Sequence, residues 1–426
     1  MPSFKTIIIS IVLMLLLGMR FMLYYQNQKS FKDGQKLEFK TRLTEEPQVI
    51  YGHQQFRVKP GNGERITIIT GLNPVYQYGD SIRVSGTVSQ KYYKGRKLIS
   101  IKDPSLQVDN TDHNFITGAA TYIRRKSKTI YENNLSPSSS SLLIGIVFGG
   151  NQGMPQKFLT QLRNSGVIHV IAASGMNVTF VATALVSILG IIFKRQIALT
   201  IAIFGILFYA FLAGFEPSIM RATIMSILAI TGTLLGRQNY AVIFVFITGF
   251  VMLFVSPFLI IDVGFQLSIL ATLGILIIKP LFPQGKNILI DDLTTTISAQ
   301  ITTLPVLLSV FGSYGILSIL VNALVLWTVP ILMILGVLAL VFGIIFESLG
   351  KIFLFLSEPI LFFFEKVVGY FGNLGWTLTV PSISGAVWIG YYFLLFAAIF
   401  LIKQKRAKNE HVSEKPREIF HKTGRL

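Results

Sequence analysis

The chain has no cysteine, only five histidines in 426 residues, and only 14% charged residues. Without thiols it can form no disulfide, no thiolate zinc site and no cysteine nucleophile. The histidines (His53, His113, His169, His411 and His421) are too scattered for a His-rich metal motif, so no metal and no cofactor is expected. No G-x-x-x-x-G-K-[ST] P-loop occurs, so no nucleotide-driven motor is visible. Soluble proteins carry roughly 25% charged residues. This chain is instead 52% hydrophobic, with a mean hydropathy of +0.61. Repeated apolar runs of about 20 residues mark a multi-pass helical membrane protein.

Acidic residues are also scarce, 20 Asp+Glu against 38 Lys+Arg, for a formal net charge of +18. The excess suits phosphates, either of nucleic acid or of lipid headgroups. Basic cytoplasmic loops, common in membrane proteins, account for much of it.

Five regions follow along the chain. Residues 1–25 form an apolar segment interrupted by Arg20. No small-residue cleavage site follows it, which favours a transmembrane anchor over a signal peptide. Residues 26–112 are polar and alternate with period two at 48–58, 65–70, 81–88 and 97–102, with glycine turns between. The pattern predicts an extracytoplasmic all-β domain resembling an OB-fold. One sheet face would present Arg83, Lys91, Tyr92, Tyr93, Lys94, Arg96 and Lys97 to a single strand of DNA by stacking and phosphate contact. The alternative is a solvated β-ribbon whose tyrosines pack on their neighbours.

Residues 113–160 read as amphipathic or interfacial linker helices, with Arg124, Arg125, Lys126 and Lys128 facing membrane lipid headgroups. SLLIGIVFGG is too short to span, so it lies at the interface or packs within the protein. Residues 161–403 hold apolar runs near 167–193, 197–214, 217–236, 239–256, 258–280, 293–311, 314–346, 352–372 and 383–402. The run 314–346 is too long for one crossing, so Pro330 is expected to break it into a re-entrant piece and a span. Residues 404–426 form a basic tail expected to be disordered. With Lys5 inside, the loops falling inside carry Lys194, Arg195, Arg237, Lys286, Lys351 and Lys403, and those falling outside carry no Lys or Arg. The positive-inside rule thus predicts about ten crossings with both termini cytoplasmic.

Polar groups at membrane depth mark a pathway or a partner. In this orientation His169, Glu216, Arg221, Asp262 and Gln266 fall in the outer half of the bundle. Ser174, Gly175, Asn177, Gln300 and Asn322 lie on membrane segments too. Together they suggest a hydrated entrance between helices; the alternative is a structural ion pair of Arg221 with Asp262 or Glu216. A serine hydrolase using Ser174 and His169 is disfavoured. Five residues on a straight helix place the two some 140° apart, and no other histidine lies in the membrane region to act as a base. The small residues 172–175 permit close helix packing or a local break in the helix.

The blocks LLIGIVFGG, LRNSGVIHVIAASGMNVTF, FLAGFEPSIMRATIM and SPFLIIDVGFQLSILATLGIL, followed by AQITTLPVLLSVFGSYGILSILVNALVLWTVP, resemble in order and spacing the competence domain of the ComEC family. The resemblance covers about 140 to 345 and, more loosely, the OB-like region. Of the family's Ile-Ser-Gly-Leu-His-Val motif, Ser174, Gly175 and Val178 match, while Met176 replaces Leu and Asn177 replaces His. The Pro-Ser-x-x-Arg-Ala and Asp-x-Gly-Phe-Gln-Leu-Ser blocks are intact at 217–222 and 262–268. The resemblance implies a channel, not an enzyme, in the bacterial plasma (inner) membrane, taking up single-stranded DNA during natural transformation. Its partners would be a DNA receptor outside, a helicase or ATPase inside and a separate nuclease. Many members end in a metallo-β-lactamase-like domain; this sequence shows no His-x-His-x-Asp-His cluster for one. A transporter for another envelope polymer or lipid-linked substrate is the competing reading.

Overall fold

Arg20, the charge that interrupts the N-terminal apolar segment, is matched by a helix end elsewhere. The computed structural model describes residues 4–43, 47–50, 52–61, 63–76, 79–93, 96–108, 115–150, 153–170, 175–215, 217–236, 241–282, 288–379 and 385–422. Helix α1 (Phe4–Asn27) packs beside α8 (Ala241–Val255). Arg20 Nε donates to the Phe254 carbonyl at 2.9 Å and its Nη2 to Val255 at 3.4 Å. The last carbonyls of a helix have no partner within it and carry partial negative charge, so a guanidinium there is favourable.

The β region has seven strands, β1 (Lys36–Arg42), β2 (Gln48–Ile50), β3 (His53–Val58), β4 (Ile66–Thr70), β5 (Ser81–Tyr93), β6 (Arg96–Lys102) and β7 (Ser105–Val108). The stretch read as one strand at 48–58 is a hairpin, turned at Gly52 with φ +77°. β1 and β7 were not expected: they are short and half-exposed, so their alternation is faint. The sheet path is β1-β5-β6-β4-β3-β2, with β7 also beside β5 and only the β4–β6 pair parallel. Its two ends, β1 and β2, are consecutive in the chain. Phe56, Ile66, Ile68, Ile82, Val84 and Ile101 fill its core.

Helix α2 (Phe115–Glu132) joins this sheet to the bundle. Its basic residues do not all face headgroups as expected. Arg125 pairs with Asp80 of the β region at 2.7 Å, and Arg124 turns inward to the Leu212 carbonyl at 2.6 Å. Lys126 is exposed, while Tyr131 is buried and donates to the Gly336 carbonyl at 2.7 Å. The β region also rests on the bundle through Arg65, whose guanidinium lies 4.5 Å from the Phe258 ring centre.

The helices that follow are α3 (Pro137–Phe148), α4 (Gln156–Asn164), α5 (Gly175–Ile192), α6 (Arg195–Leu212), α7 (Pro217–Leu234), the α8 already named, α9 (Val263–Ile277) and α10 (Ile288–Phe311). After them come β8 (Ser313–Gly315), α11 (Ser318–Val325), α12 (Thr328–Ile345), α13 (Glu347–Leu374), β9 (Thr377–Thr379) and α14 (Gly385–Lys422). Among the described residues seven helices are long and apolar enough to cross a membrane: α5, α6, α7, α9, α10, α12 and α14. Shorter apolar helices lie at Ile11–Asn27, within α1, at α3 and at α8. The run expected to span at 352–372 is α13, 28 residues long and outside those seven. It buries one stripe, Gly350, Leu354, Leu361, Phe364 and Val368, and carries five charged residues. The long run 314–346 does divide, but at 326–327. Pro330 sits in the first turn of α12, where a missing N–H leaves nothing unpaired. β8 pairs with β9, so the excursion through α11, α12 and α13 returns beside the end of α10. The basic tail, expected to be disordered, continues α14 as helix to Lys422; its Lys, Arg, Ala and Glu residues are good helix formers.

Pro305 lies inside α10 and deprives the Ile301 carbonyl of its helical donor. Tyr391 of α14 supplies a hydroxyl to that carbonyl at 2.7 Å, and Tyr392 one to Thr302 at 2.9 Å. A freed backbone group at membrane depth is thus paired by a neighbouring helix.

Candidate functional site

The segment 166–177, which joins α4 to α5, touches three separate groups of polar residues. A 3-10 turn covers Ile168–Val170, and α5 is described from Gly175 onward. His169 therefore does not sit on the straight α-helix from which a 140° separation from Ser174 was expected. Ser174 lies outside the described residues, as does Glu216, and of His169 only the backbone is described.

The first group is built on the end of α3, which stops at Gly149 (φ +83°) inside the bundle. A helix leaves its last four carbonyls unpaired. Here each finds a donor. Gly145 accepts from the Gly149 N–H at 2.9 Å, and Ile146 from Asn177 Nδ2 at 2.8 Å. Val147 accepts from the Tyr209 hydroxyl at 3.0 Å, and Phe148 from Arg124 Nη2 at 3.4 Å. Asn177, singled out as a pathway residue, is fully buried in this cap. Tyr209 was missed, and Arg124 was assigned to headgroups, because their partners here are 62 and 24 residues away.

The second group surrounds Arg221 on α7. Its Nε donates to the Ser268 hydroxyl and its Nη1 to the Thr272 hydroxyl, both on α9. Met225 Sδ lies 3.7 Å from Nη1. The guanidinium rests against Gly175, where an added Cβ would lie 2.4 Å from Arg221 Nη2 and 3.3 Å from the Ala222 methyl and would push the guanidinium aside. Among the described residues no carboxylate pairs with Arg221, so the ion pair weighed with Asp262 does not form. Asp262 instead caps α9, accepting from the Phe265 N–H at 3.0 Å. Gln266 donates to the Ile260 carbonyl at 2.8 Å.

The third group lies where α10 and α11 meet the start of the segment. Gln300 Nε2 is 3.3 Å from the Ser318 hydroxyl. A Cβ on Gly166 (φ +78°) would lie 2.3 Å from Ser318 Cβ, so only glycine fits. Asn322, one turn along α11 from Ser318, is buried, and its Oδ1 has no partner among the described residues. Of the expected pathway residues that are described, Asn177, Arg221 and Gln300 fall in three separate groups around one segment, while Asp262 and Gln266 bond within the start of α9 and the turn before it.

On the β region, Arg83 and Lys91 are exposed along β5. Arg83 stands opposite Lys40 of β1, an arrangement of like charges that an anion would relieve. Tyr92 is in register with Lys97, and Tyr93 with Arg96, at the β5–β6 hairpin; Lys94 lies outside the described residues.

A family model described as Competence protein matches residues 146–405. Over 204 residues the chain is 28% identical to the ComE operon protein 3 of Bacillus subtilis (strain 168), a match covering 47% of this chain. Over 146 residues it is 31% identical to an uncharacterized protein of Aquifex aeolicus (strain VF5), covering 34% of this chain. The chain thus spans 26% and 34% of the length of these two relatives. No solved structure matches.

Proposed function

The chain belongs to the competence protein family, and on that premise we propose that it is a channel for single-stranded DNA uptake across the bacterial plasma membrane in natural transformation. The observation that carries the reading is Arg221, a guanidinium among helices held by the neutral hydroxyls of Ser268 and Thr272. A cation at membrane depth is costly and marks a pathway or a partner. Its planar fork matches phosphate oxygens. Hydroxyls can rotate away to let a phosphate take their place, whereas a carboxylate partner would compete with it.

Asp262, one of the two acidic residues expected along this pathway, is held against the N-terminus of α9 by its bond to Phe265. The positive end of the helix offsets part of its charge. That lowers the barrier it presents to a polyanion.

The β region acts as the receiving domain. Its OB-like character is supported by the strand path, in which the end strands β1 and β2 are consecutive and β4 pairs with β6 in parallel. Arg83 and Lys91 on its outer face suit a phosphate backbone. The distribution of Lys and Arg among the short loops supports an orientation with this region outside and both termini in the cytoplasm. A receptor outside would deliver DNA, a nuclease would produce the single strand, and a helicase or ATPase inside would draw it in.

The test is delivery of labelled single-stranded DNA to the cytosol of competent cells. Loss of charge-assisted hydrogen bonds in Arg221→Gln is expected to lower delivery about a hundredfold at normal membrane levels of the protein. Unchanged delivery in cells lacking the protein would refute the reading.

A further inference from the structure

A cleft of about 550 Å³ opens between α5, α6 and α7, and none of the candidate pathway residues lines it. Its polar lining consists of Thr179, Thr183 and Ser187 from α5, Ser226 and Thr233 from α7, and Arg195 from the first turn of α6. The three α5 hydroxyls are four residues apart, so they share one helix face. At 1.5 Å per residue they cover about 12 Å along the axis. Thr179 is one turn past Gly175, the glycine against which the Arg221 guanidinium rests. Arg195 sits at the opposite end, as the first residue of α6. The cleft therefore begins beside one arginine and ends at another.

Its chemistry has one sign. Among the described residues no Asp or Glu lines it, and the one charge among them is cationic. Thr179 and Thr233 donate to their own helices, at 3.1 Å and 2.9 Å. Thr183, Ser187 and Ser226 have no hydrogen-bond partner among the described residues, so their hydroxyls are left to donate into the cleft. The volume lies within the ~300–1,000 Å³ of sites that enclose a small ligand. That is room for a short stretch of one strand and too little for a duplex.

Building on the DNA-uptake reading, we propose that this cleft is the inner half of the strand's path. Thr183, Ser187 and Ser226 donate to the phosphodiester backbone between Arg221 and Arg195, and Arg195 takes the phosphates at the inner mouth. The alanine, glycine and valine surface between the hydroxyls gives the bases an apolar wall without sequence preference.

The absence of native cysteine makes single-cysteine variants of the full chain direct to use. Competent cells would carry Thr183→Cys, Ser226→Cys, Ser268→Cys beside Arg221, or Ile188→Cys, 58% exposed on the face of α5 turned away from the hydroxyl line. A single-stranded oligonucleotide with bromoacetyl groups on internal phosphates, arrested by streptavidin at its trailing end, is the probe. The expected result is a DNA adduct at 183, 226 and 268 and none at 188. Adducts at 268 without any at 183 or 226 would overturn the inner path and leave the DNA reading standing. No adduct at any position, with each variant present in the membrane, would overturn both. Modification of 183 and 226 by a bromoacetyl lipid but not by the oligonucleotide would make the cleft an acyl-chain crevice and also overturn the path. As a second measurement, Arg195→Gln should lower delivery about tenfold, with Arg195→Lys near normal. Normal delivery by Arg195→Gln would remove Arg195 from the path.

Discussion

Arg124 and Arg221 both reach into the helical bundle, and their partners differ in kind. Arg124 binds backbone carbonyls, those of Leu212 and Phe148, at the ends of α6 and α3. Arg221 binds side-chain hydroxyls, those of Ser268 and Thr272. A helix-end carbonyl is fixed in place, only accepts, and carries part of the helix dipole. A hydroxyl turns, and both donates and accepts. The first arrangement locks a cation for good; the second leaves one whose partners can change. Arg20 belongs with Arg124, because it too holds helix-end carbonyls, those of α8. Carbonyl-bound arginines assemble the bundle, and the hydroxyl-bound one is poised for an anion.

The sharpest way to break this contrast is to remove each guanidinium and ask which property fails. Arg124→Ala strips a donor from two carbonyls and should destabilise the protein by about 3 kcal/mol, read as a lower melting temperature in detergent and less protein in the membrane. Arg221→Gln should leave the melting temperature within a few degrees while delivery of DNA collapses. If Arg124→Ala were stable and inactive, or Arg221→Gln unstable, the division between the two would be lost.

Gly175→Ala is a milder probe, because it moves the Arg221 guanidinium without changing its charge. The added methyl would meet Nη2 at 2.4 Å, so the guanidinium must leave its hydroxyls. Overpacking of this kind costs about 1–3 kcal/mol. DNA delivery should fall about tenfold on that scale, with the α3 cap undisturbed. Normal delivery would show that the placement of Arg221 on Ser268 and Thr272 is not needed.

The sequence made the membrane class, the β region and the polar segment 166–177 legible, because hydropathy runs and period-two alternation are local signals. Arg124 was misplaced for a physical reason. An arginine among lysines on an amphipathic stretch reads as a headgroup contact until the ends of α3 and α6 are known to lie beneath it. The same holds for Tyr391, whose partner Ile301 is exposed only because Pro305 sits four residues on. The hydroxyl line Thr179, Thr183 and Ser187 was readable from its spacing alone. What the spacing could not show was that α6 and α7 leave that face open.

Asn177 gives the smallest expected effect and the finest test of the comparison. In the motif that this segment resembles, the position holds histidine, which invites a role for a titrating proton. The structure places the side chain in the α3 cap, where Nδ2 donates to the Ile146 carbonyl at 2.8 Å in a fully buried setting. That role requires one N–H donor and no charge. Neutral histidine also has one ring N–H, so Asn177→His should hold the cap with a change below about 1 kcal/mol if the ring is accommodated. Asn177→Leu has similar bulk and no donor. It should cost about 1–3 kcal/mol, the penalty for a buried carbonyl left unpaired. Thermal melts of the two variants, alongside DNA delivery, separate the ideas. A stable Asn177→Leu variant that fails to deliver DNA would move Asn177 from the group of fixed carbonyl caps to the path beside Arg221.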